Sequence, residues 1–189
     1  MNSYEPNTAE VMLGVALGQL ARGTYKGYVA QLELRGNERV LDFGCRGGEL
    51  AAWLAPLLLR GGGTLACIDT SQRWLRVAQR RLRGYPNVTF KQGELAALDV
   101  PAASFDVVLI DGTLHTFEAA QQFDSVRRLV HILVDGGRLF IREPLRFIKP
   151  TKIRWLMAQN SLFETDSNIA VVATQGEVYE GVFRKLNTN

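Results

Sequence analysis

Glycine and acidic residues that could hold a nucleoside follow the first two apolar runs of the chain. Asp42 lies near the end of the first run, which continues into a segment, residues 44–48, with glycine at 44, 47 and 48. Such a segment between a strand and a helix lets backbone N–H groups approach a ligand at the positive end of the helix dipole. Asp69 ends the second run, 21 residues beyond Gly48. That spacing suits a carboxylate that accepts hydrogen bonds from a ribose diol, so the two runs together predict an adenosine site.

The later apolar runs also end in polar side chains. Glu94 follows the third run, and Asp111 and His115 follow the fourth. In an open α/β sheet the ligand crevice lies outside the carboxyl ends of the strands, so these residues are expected at the same edge of the sheet as the glycine segment. The alternative for each of them is local, because Asp and Gly after a strand also cap helices and form turns.

Several other nucleotide and catalytic motifs are missing. The dinucleotide pattern G-x-G-x-x-G needs glycine at 44, 46 and 49, where the chain has Gly44, Arg46 and Glu49. The Glu49 carboxylate would also repel a pyrophosphate. The chain contains neither a G-x-x-x-x-G-K-[ST] loop nor a G-x-S-x-G elbow, which argues against phosphate-loop NTPases and typical α/β-hydrolases.

Strand-like and helical segments alternate along the chain and predict the elements that position these residues. Five strand–helix units followed by a hairpin predict an α/β fold with an open, mostly parallel sheet, helices on both faces and one antiparallel strand at its C-terminal end. We expect Pro56 to kink or end the third helix and Ser71 to cap the fourth. In the next helix, Phe123, Val126, Val130 and Leu133 are expected to share one face, and residues 135–137 to close it. The expected strands are 39–43, 64–68, 88–91, 105–110, 138–142, 169–173 and 178–183, and the other expected helices are 7–19, 25–34, 49–59 and 152–159.

Composition is that of an ordinary globular chain. It has 189 residues, 47% of them hydrophobic, with 22 basic and 19 acidic side chains and a net charge of +3. No apolar run approaches the ~20 residues of a membrane span, and no secretory signal is recognisable. Two cysteines in apolar contexts indicate reduced thiols and a cytoplasmic protein, and with the two histidines they form no credible metal site. The arginines at 73, 76, 80 and 83 are expected on a solvated helix face rather than on a nucleic-acid-binding surface. A nucleic-acid partner is therefore not expected.

The segment Val40-Leu41-Asp42-Phe43-Gly44-Cys45-Arg46-Gly47-Gly48 resembles the first motif of the class I S-adenosylmethionine (SAM)-dependent methyltransferases, V-L-D-x-G-C-G-x-G. The resemblance continues through Asp69, Gly93-Glu94, the strand at 105–108 and the glycine pair at 136–137, and covers about residues 25–186. It implies one methyltransferase domain over residues 1–189, with a helical cap at 1–35 and a Rossmann-like, seven-stranded core at 36–189.

The resemblance also implies a set of cofactor contacts, with SAM as the cofactor. They are the first-motif residues Asp42, Gly44, Arg46 and Gly48, the ribose-binding Asp69 with its neighbour Thr70, Glu94 beside the adenine amine, and Asp111. Arg46 and Glu94 depart from the family pattern, where glycine and aspartate are usual. The Arg46 side chain could swing away from the site, pair with the methionine carboxylate of SAM, or obstruct the pocket.

The predicted reaction is methyl transfer to a small or medium-sized acceptor. His115 is the candidate general base for an acceptor hydroxyl, and Asp111 could orient His115 or the substrate. Tyr25 and Tyr28, on the N-terminal segment, could touch the acceptor or pack in the core. Two alternatives stay open: a non-catalytic protein of the same fold that binds SAM or its demethylated product, and an RNA methyltransferase. The acceptor's identity and the oligomeric state are not specified by the sequence.

Overall fold

The computed structural model describes residues 5–187, which form one seven-stranded sheet in the order β3-β2-β1-β4-β5-β7-β6. This order and the antiparallel β7 confirm the predicted fold class. The helices are α1 (Thr8–Leu20), α2 (Arg22–Gln31), α3 (Ala51–Gly61), α4 (Gln72–Leu82), α5 (Ala119–Ile132) and α6 (Pro150–Ala158). The strands are β1 (Arg39–Phe43), β2 (Thr64–Asp69), β3 (Val88–Gln92), β4 (Phe105–Asp111), β5 (Leu133–Pro144), β6 (Leu162–Val172) and β7 (Gly176–Lys185).

The first of two compact units, Met1–Glu94, is built around β1, β2 and β3. These strands are parallel, with Phe43 opposite Ile68 and Asp69 opposite Gln92. Four of the five residues of β1 are buried, as expected of a strand whose two faces are both covered. Because parallel strands end at the same edge, Asp69 lies beside the loop that follows β1.

Helix α4 follows the pattern predicted for it. The Ser71 hydroxyl accepts a hydrogen bond from the Trp74 backbone N–H at 3.1 Å and caps the helix. Leu75, Ala78 and Leu82 are buried, and the arginines at 73, 76, 80 and 83 are exposed. This is the amphipathic stripe of a helix packed on a sheet.

Helix α3 continues through Pro56, so the expectation that this proline could end the helix is wrong. Proline in a helix interior costs about 3 kcal/mol through a lost N–H and a clash with the preceding turn. Leu54 and Leu58 are both fully buried. Burial of each leucine contributes roughly 1.5–3 kcal/mol, which offsets the proline penalty and keeps the helix continuous.

The second unit, Leu95–Asn189, contains β4, β5, β6 and β7. Strand β5 pairs in parallel with β4, which places Arg142 opposite Asp111, and antiparallel with β7, which places Arg142 opposite Glu180. Strands β6 and β7 form an antiparallel hairpin that closes at Val172 and Gly176. Gly176 has a φ of +75°, a conformation that favours glycine in a tight turn.

The end of α5 differs from the prediction. The helix stops at Ile132, and residues 135–137 lie inside β5, so they do not close it. Its buried face is Gln122, Val126, Leu129 and Ile132, whereas Phe123 and Val130 are half-buried. The Gln122 amide donates to the Phe117 carbonyl at 2.9 Å, which allows a polar side chain to occupy a buried position.

Within residues 5–187, no helix combines the length and apolar character needed to cross a bilayer. Cys45 and Cys67 are both buried and are not joined in a disulfide. The prediction of a single domain over residues 1–189 stays a prediction, as do the proposed limits of its cap and core.

Candidate functional site

The loop after β1 is tied to the end of β2 by its own backbone. The N–H groups of Gly44 and Cys45 both donate to the Ile68 carbonyl, at 2.8 and 3.1 Å. Gly44 and Gly48 have φ values of +75° and +73°, in the left-handed region where glycine is unstrained. A Cβ atom on Gly48 would lie only 3.2 Å from the Ala78 methyl, so glycine here also permits close packing of α4.

Arg46 occupies the middle position of this loop in an unusual conformation. Its φ is +48°, which non-glycine residues rarely adopt. Its backbone N–H donates to Asp69 Oδ2 at 2.8 Å, and its guanidinium carbon lies 5.4 Å from the centre of the Trp74 ring. The guanidinium therefore packs on an aromatic ring of α4, and its relation to a bound SAM stays a prediction.

Asp69 is the acceptor that organises the end of β2. It is 9% exposed, and its second oxygen accepts the Ser71 N–H at 2.9 Å. Burial raises the pKa of Asp69 above its ordinary value, while the N–H groups of Ser71 and Arg46 act in the opposite direction. Each carboxylate oxygen has two acceptor positions, and one on each is used by the backbone. Asp69 can therefore still accept two hydroxyl groups, the number in a ribose diol.

The other predicted cofactor residues of the first unit differ in accessibility. Asp42 is 2% exposed, in the interior of β1, whereas Glu94 is exposed. Thr70 is half-buried, and its carbonyl accepts the Gln92 side-chain amide at 3.3 Å. Tyr25 and Tyr28 of α2 are each 7% exposed, so both side chains pack in the core.

The structure packs α1 against Trp74 of α4 and against Glu49, which directly follows the glycine loop. A Cβ on Gly14 would lie 2.4 Å from the Trp74 ring, and one on Gly18 would lie 2.7 Å from the Glu49 side chain. The Glu5 carboxylate fastens the segment before α1 by accepting the Arg73 N–H at 2.8 Å. Glycines four residues apart share one helix face, so their spacing was the available signal for this close approach.

In the second unit, His115 is held by Glu143. The Nδ1 atom of His115 lies 2.5 Å from Glu143 Oε2, and Glu143 is fully buried. Glu143 Oε1 accepts the backbone N–H groups of Thr113 and Leu114 at 2.9 and 2.6 Å. Within residues 5–187, His115 Nε2 has no hydrogen-bond partner. Because the carboxylate accepts at Nδ1, the proton is placed there and the lone pair is placed on Nε2.

Asp111 does not orient His115, contrary to one of the roles predicted for it. Its two carboxylate oxygens accept from the Arg142 guanidinium, each at 2.8 Å. Such a two-point pair has a fixed geometry, and the Arg142 side chain is fully buried. Glu143 was missed because its signal is only an arginine–glutamate pair at the end of an apolar strand, before Pro144.

The His115 imidazole also belongs to a three-membered stack. Its ring lies 4.6 Å from the Phe147 ring centre, with 12° between the planes. The guanidinium carbon of Arg146 lies 4.7 Å from the same ring. The stacking fixes the imidazole plane, and the Glu143 hydrogen bond fixes its rotation.

Comparison with known proteins identifies the class to which this fold and this glycine loop belong. A family model described as a methyltransferase domain matches residues 40–137, just over half of the chain. The chain therefore belongs to the methyltransferase domain family, and the resemblance stated for its first motif is confirmed. Its fold is that of the SAM-dependent methyltransferases.

Individual relatives and structures agree with that family. A ubiquinone/menaquinone biosynthesis C-methyltransferase of Azotobacter vinelandii is 32% identical over 146 residues, which are 75% of this chain and 55% of the relative. A SAM-dependent methyltransferase from Aquifex aeolicus has a TM-score of 0.73 at 14% identity, over 86% of this chain and 89% of that one. Magnesium protoporphyrin IX methyltransferase from Synechocystis, solved with bound SAM, has a TM-score of 0.68 at 20% identity, over 97% of this chain and 86% of that one. The chain spans about half the length of the curated relatives it matches, between 40 and 55%.

Proposed function

We propose that the chain is a SAM-dependent methyltransferase that transfers a methyl group to a small or medium-sized acceptor. One observation supports the proposal in addition to family membership. The Arg46 N–H of the glycine loop donates a hydrogen bond to the Asp69 carboxylate at 2.8 Å. This bond fixes a sugar-binding carboxylate beside a loop of left-handed residues, which is the pairing that an adenosine site requires. Quinone and porphyrin methyltransferases among the similar proteins support a small acceptor.

The residues of the first unit fit this cofactor chemically. Asp69 keeps free acceptor positions for the ribose hydroxyls, and the exposed Glu94 is available to the adenine amine. The backbone of Gly44, Arg46 and Gly48 would hold the methionine portion, and Asp42 and Thr70 complete the proposed contacts of the first unit. Asp111, of the second unit, is the remaining proposed cofactor residue. When bound, SAM supplies a methyl group on a sulfonium, which is an activated electrophile. The chain must then align the acceptor and remove its proton, and alignment alone can contribute several kcal/mol.

His115 is the proposed general base for an acceptor hydroxyl. The Glu143 bond at Nδ1 leaves the Nε2 lone pair to remove the proton, and the buried carboxylate stabilises the imidazolium that forms. Glu143 acts through His115 and is a positioning residue. Asp111, bound by Arg142, holds the end of β4 beside β5.

Binding of S-adenosylhomocysteine (SAH), the demethylated cofactor, tests the first half of the proposal. We expect Asp69→Asn to weaken SAH affinity at least several-fold in calorimetry, because an amide presents one acceptor oxygen in place of two. Asp124→Asn, on the exposed surface of α5, is the matched control and should leave the affinity unchanged. Equal affinities for wild type and Asp69→Asn would refute the ribose assignment.

Turnover tests the second half. Wild-type chain incubated with labelled SAM and a small-molecule extract should yield a labelled product. His115→Ala should lower the yield while leaving SAH affinity intact. Binding of SAH without any labelled product from a range of extracts would instead support a non-catalytic protein of this fold. We also propose a cytoplasmic location, which the two unbonded cysteines support.

A further inference from the structure

A cavity in the second unit lies between the connection that follows β5 and the β6–β7 hairpin. Its volume is about 460 Å³, and it is lined by Leu145, Arg146, Gln175, Gly176 and Glu177. The Leu145 N–H donates to the Glu177 carbonyl at 2.9 Å, so the two connections that line the cavity are joined by a backbone hydrogen bond. Neither the cofactor contacts nor the proposed base explains this cavity.

Two of the lining side chains have hydrogen-bonding groups that no other described residue uses. The Arg146 guanidinium stacks on Phe147 but makes no hydrogen bond or ion pair within residues 5–187. The Gln175 side-chain amide likewise has no partner there, although its Oε1 atom is buried. A Cβ on Gly112 would lie 3.7 Å from the Gln175 amide nitrogen, which places this amide next to the loop that leads to His115. The amide nitrogen, unlike this oxygen, is accessible, so its N–H groups are available to a ligand in the cavity.

The chemistry of these groups favours an oxyanion. A guanidinium presents coplanar N–H groups that match the two oxygens of a carboxylate, and a stacked guanidinium loses little rotamer freedom on binding. The Gln175 amide adds N–H donors for the same anion. Glu177 opposes an anion; because Arg146 and Glu177 are both exposed, solvent weakens the attraction and the repulsion alike, and the hydrogen-bond geometry of the guanidinium favours the anion.

The cavity is linked to the proposed base through one aromatic ring. Phe147 lies 4.6 Å from the His115 ring and 4.7 Å from the Arg146 guanidinium carbon. A small molecule whose carboxylate is bound at Arg146 can thus place a second group near His115 if the two groups are separated by about one aromatic ring.

We propose that Arg146 and Gln175 bind the carboxylate of the methyl acceptor, so that the acceptors are small carboxylic acids bearing a hydroxyl or amine. This inference rests on the proposed methyltransferase function. Arg146 is the specificity residue and Gln175 its hydrogen-bonding partner in this arrangement. The acid's second group is the nucleophile, and its proton passes to His115 Nε2.

Benzoate is the probe for this site, with benzamide and benzylamine as its neutral and cationic counterparts. Each is titrated into ¹⁵N-labelled full-length chain at low ionic strength and followed by amide chemical shifts of the β6–β7 hairpin. Benzoate should saturate these shifts, and the other two should bind at least about five-fold more weakly, because only the carboxylate forms charge-assisted hydrogen bonds with arginine. Equal or tighter binding of benzamide or benzylamine would overturn the proposal.

Variants locate the binding to these side chains. Arg146→Gln and Gln175→Leu should each weaken benzoate binding, by about five-fold or more for the loss of the charge. Arg128→Gln, which removes an exposed arginine of α5, is the control for net charge and should have no effect. Glu177→Gln should strengthen binding, because it removes the opposing carboxylate. Unchanged affinity in Arg146→Gln would exclude this residue as the anion site.

SAH titrated into the same samples separates failure of this inference from failure of the proposed function. SAH binding together with Arg146-dependent benzoate binding supports both. SAH binding without benzoate binding removes the acceptor class and leaves the methyltransferase proposal intact. Benzoate binding without SAH binding overturns the acceptor role, because a site for a methyl acceptor has no use in a chain that does not bind the cofactor.

Discussion

Replacement of Glu143 by glutamine tests whether His115 is arranged as a base. In the wild type, the carboxylate accepts the Nδ1 proton at 2.5 Å and leaves the lone pair on Nε2. A glutamine can keep its oxygen on the Thr113 and Leu114 N–H groups, which turns its NH₂ group toward Nδ1. An amide donor requires an acceptor, so His115 must move its proton to Nε2. The side chain then keeps its place but cannot accept a proton there.

The effect of Glu143→Gln on stability is moderate. Glutamine loses the long bond from the His115 backbone N–H at 3.4 Å. It retains the Thr113 and Leu114 hydrogen bonds but converts them from charge-assisted bonds to neutral ones, a loss of about 1 kcal/mol each and about 2 kcal/mol for the two. For a chain of this size, that change lowers Tm by roughly 4–8 °C. Glu143→Ala would instead leave those N–H groups unpaired in a fully buried position, so it is a poor test of mechanism.

The tautomer can be read directly by ¹⁵N NMR. The chain contains two histidines, so its imidazole spectrum holds two sets of signals, and His131→Gln assigns them. In its neutral form, His115 should carry its proton on Nδ1 in the wild type and on Nε2 in Glu143→Gln. His131, exposed at the end of α5, serves as the unchanged internal reference.

Turnover should follow the tautomer. With an acceptor that must lose a proton, Glu143→Gln should lower kcat by about 10²-fold or more, within the 10²–10⁴-fold range of general base catalysis. SAH affinity should remain within about two-fold, because Glu143 contributes to none of the proposed cofactor contacts. An unchanged Nδ1–H tautomer in the variant, or an altered tautomer with undiminished kcat, would refute the assignment of His115 as the base.

Two further predictions concern the glycine loop. Arg46→Ala keeps the φ of +48° but loses the stacking on Trp74, for about 0.5–1 kcal/mol, whereas Arg46→Gly also relieves the left-handed backbone. The glycine variant should therefore unfold at a higher urea concentration than the alanine variant, and the opposite order would contradict the loop conformation. Burial raises the pKa of Asp69, so the native state holds this proton more tightly than the unfolded chain, and its stabilising contribution is lost as pH rises through the native pKa. The unfolding free energy of the wild type relative to Asp69→Asn should thus fall in urea titrations as pH rises above the ordinary aspartate pKa of about 3.9, and a constant difference would show that burial does not dominate.

The order of elements could be predicted from the sequence because each strand is a short apolar run bounded by glycine or a polar residue. The predicted strand at 39–43 has the observed bounds, and Asp69 extends the second strand by one residue. The prediction of the end of α5 failed because the local sequence favours a helix end where the tertiary structure forms a strand. Residues 135–137 have the composition of a helix end, yet Leu133 already pairs with Phe105 of β4, and regular pairing with both β4 and β7 follows from Arg138, so residues 135–137 fall in a register shift inside β5. Strand pairing of this kind is non-local and leaves no trace in a short sequence window.

The acidic end of the second strand could be predicted for the candidate site, but the partner of His115 could not. Asp69 follows from its spacing after Gly48, a relation along the chain. Glu143 lies 28 residues beyond His115 and reaches it only because β5 ends beside the segment that follows β4. Asp111 is nearer in sequence, but it lies opposite Arg142 in the register of β4 and β5, and a two-point bond to that arginine excludes it from the role.

Arg46, at the middle position of the first motif, has a left-handed backbone without being glycine. A left-handed conformation costs a non-glycine residue roughly 1–2 kcal/mol. Here the Arg46 N–H bonds to a buried carboxylate, and the guanidinium packs on Trp74. A charge-assisted hydrogen bond contributes about 1.5–3 kcal/mol, enough to hold the backbone in place without glycine. The motif therefore specifies a backbone conformation in which this N–H reaches Asp69, and a large side chain satisfies it wherever α4 offers a surface on which that side chain can pack.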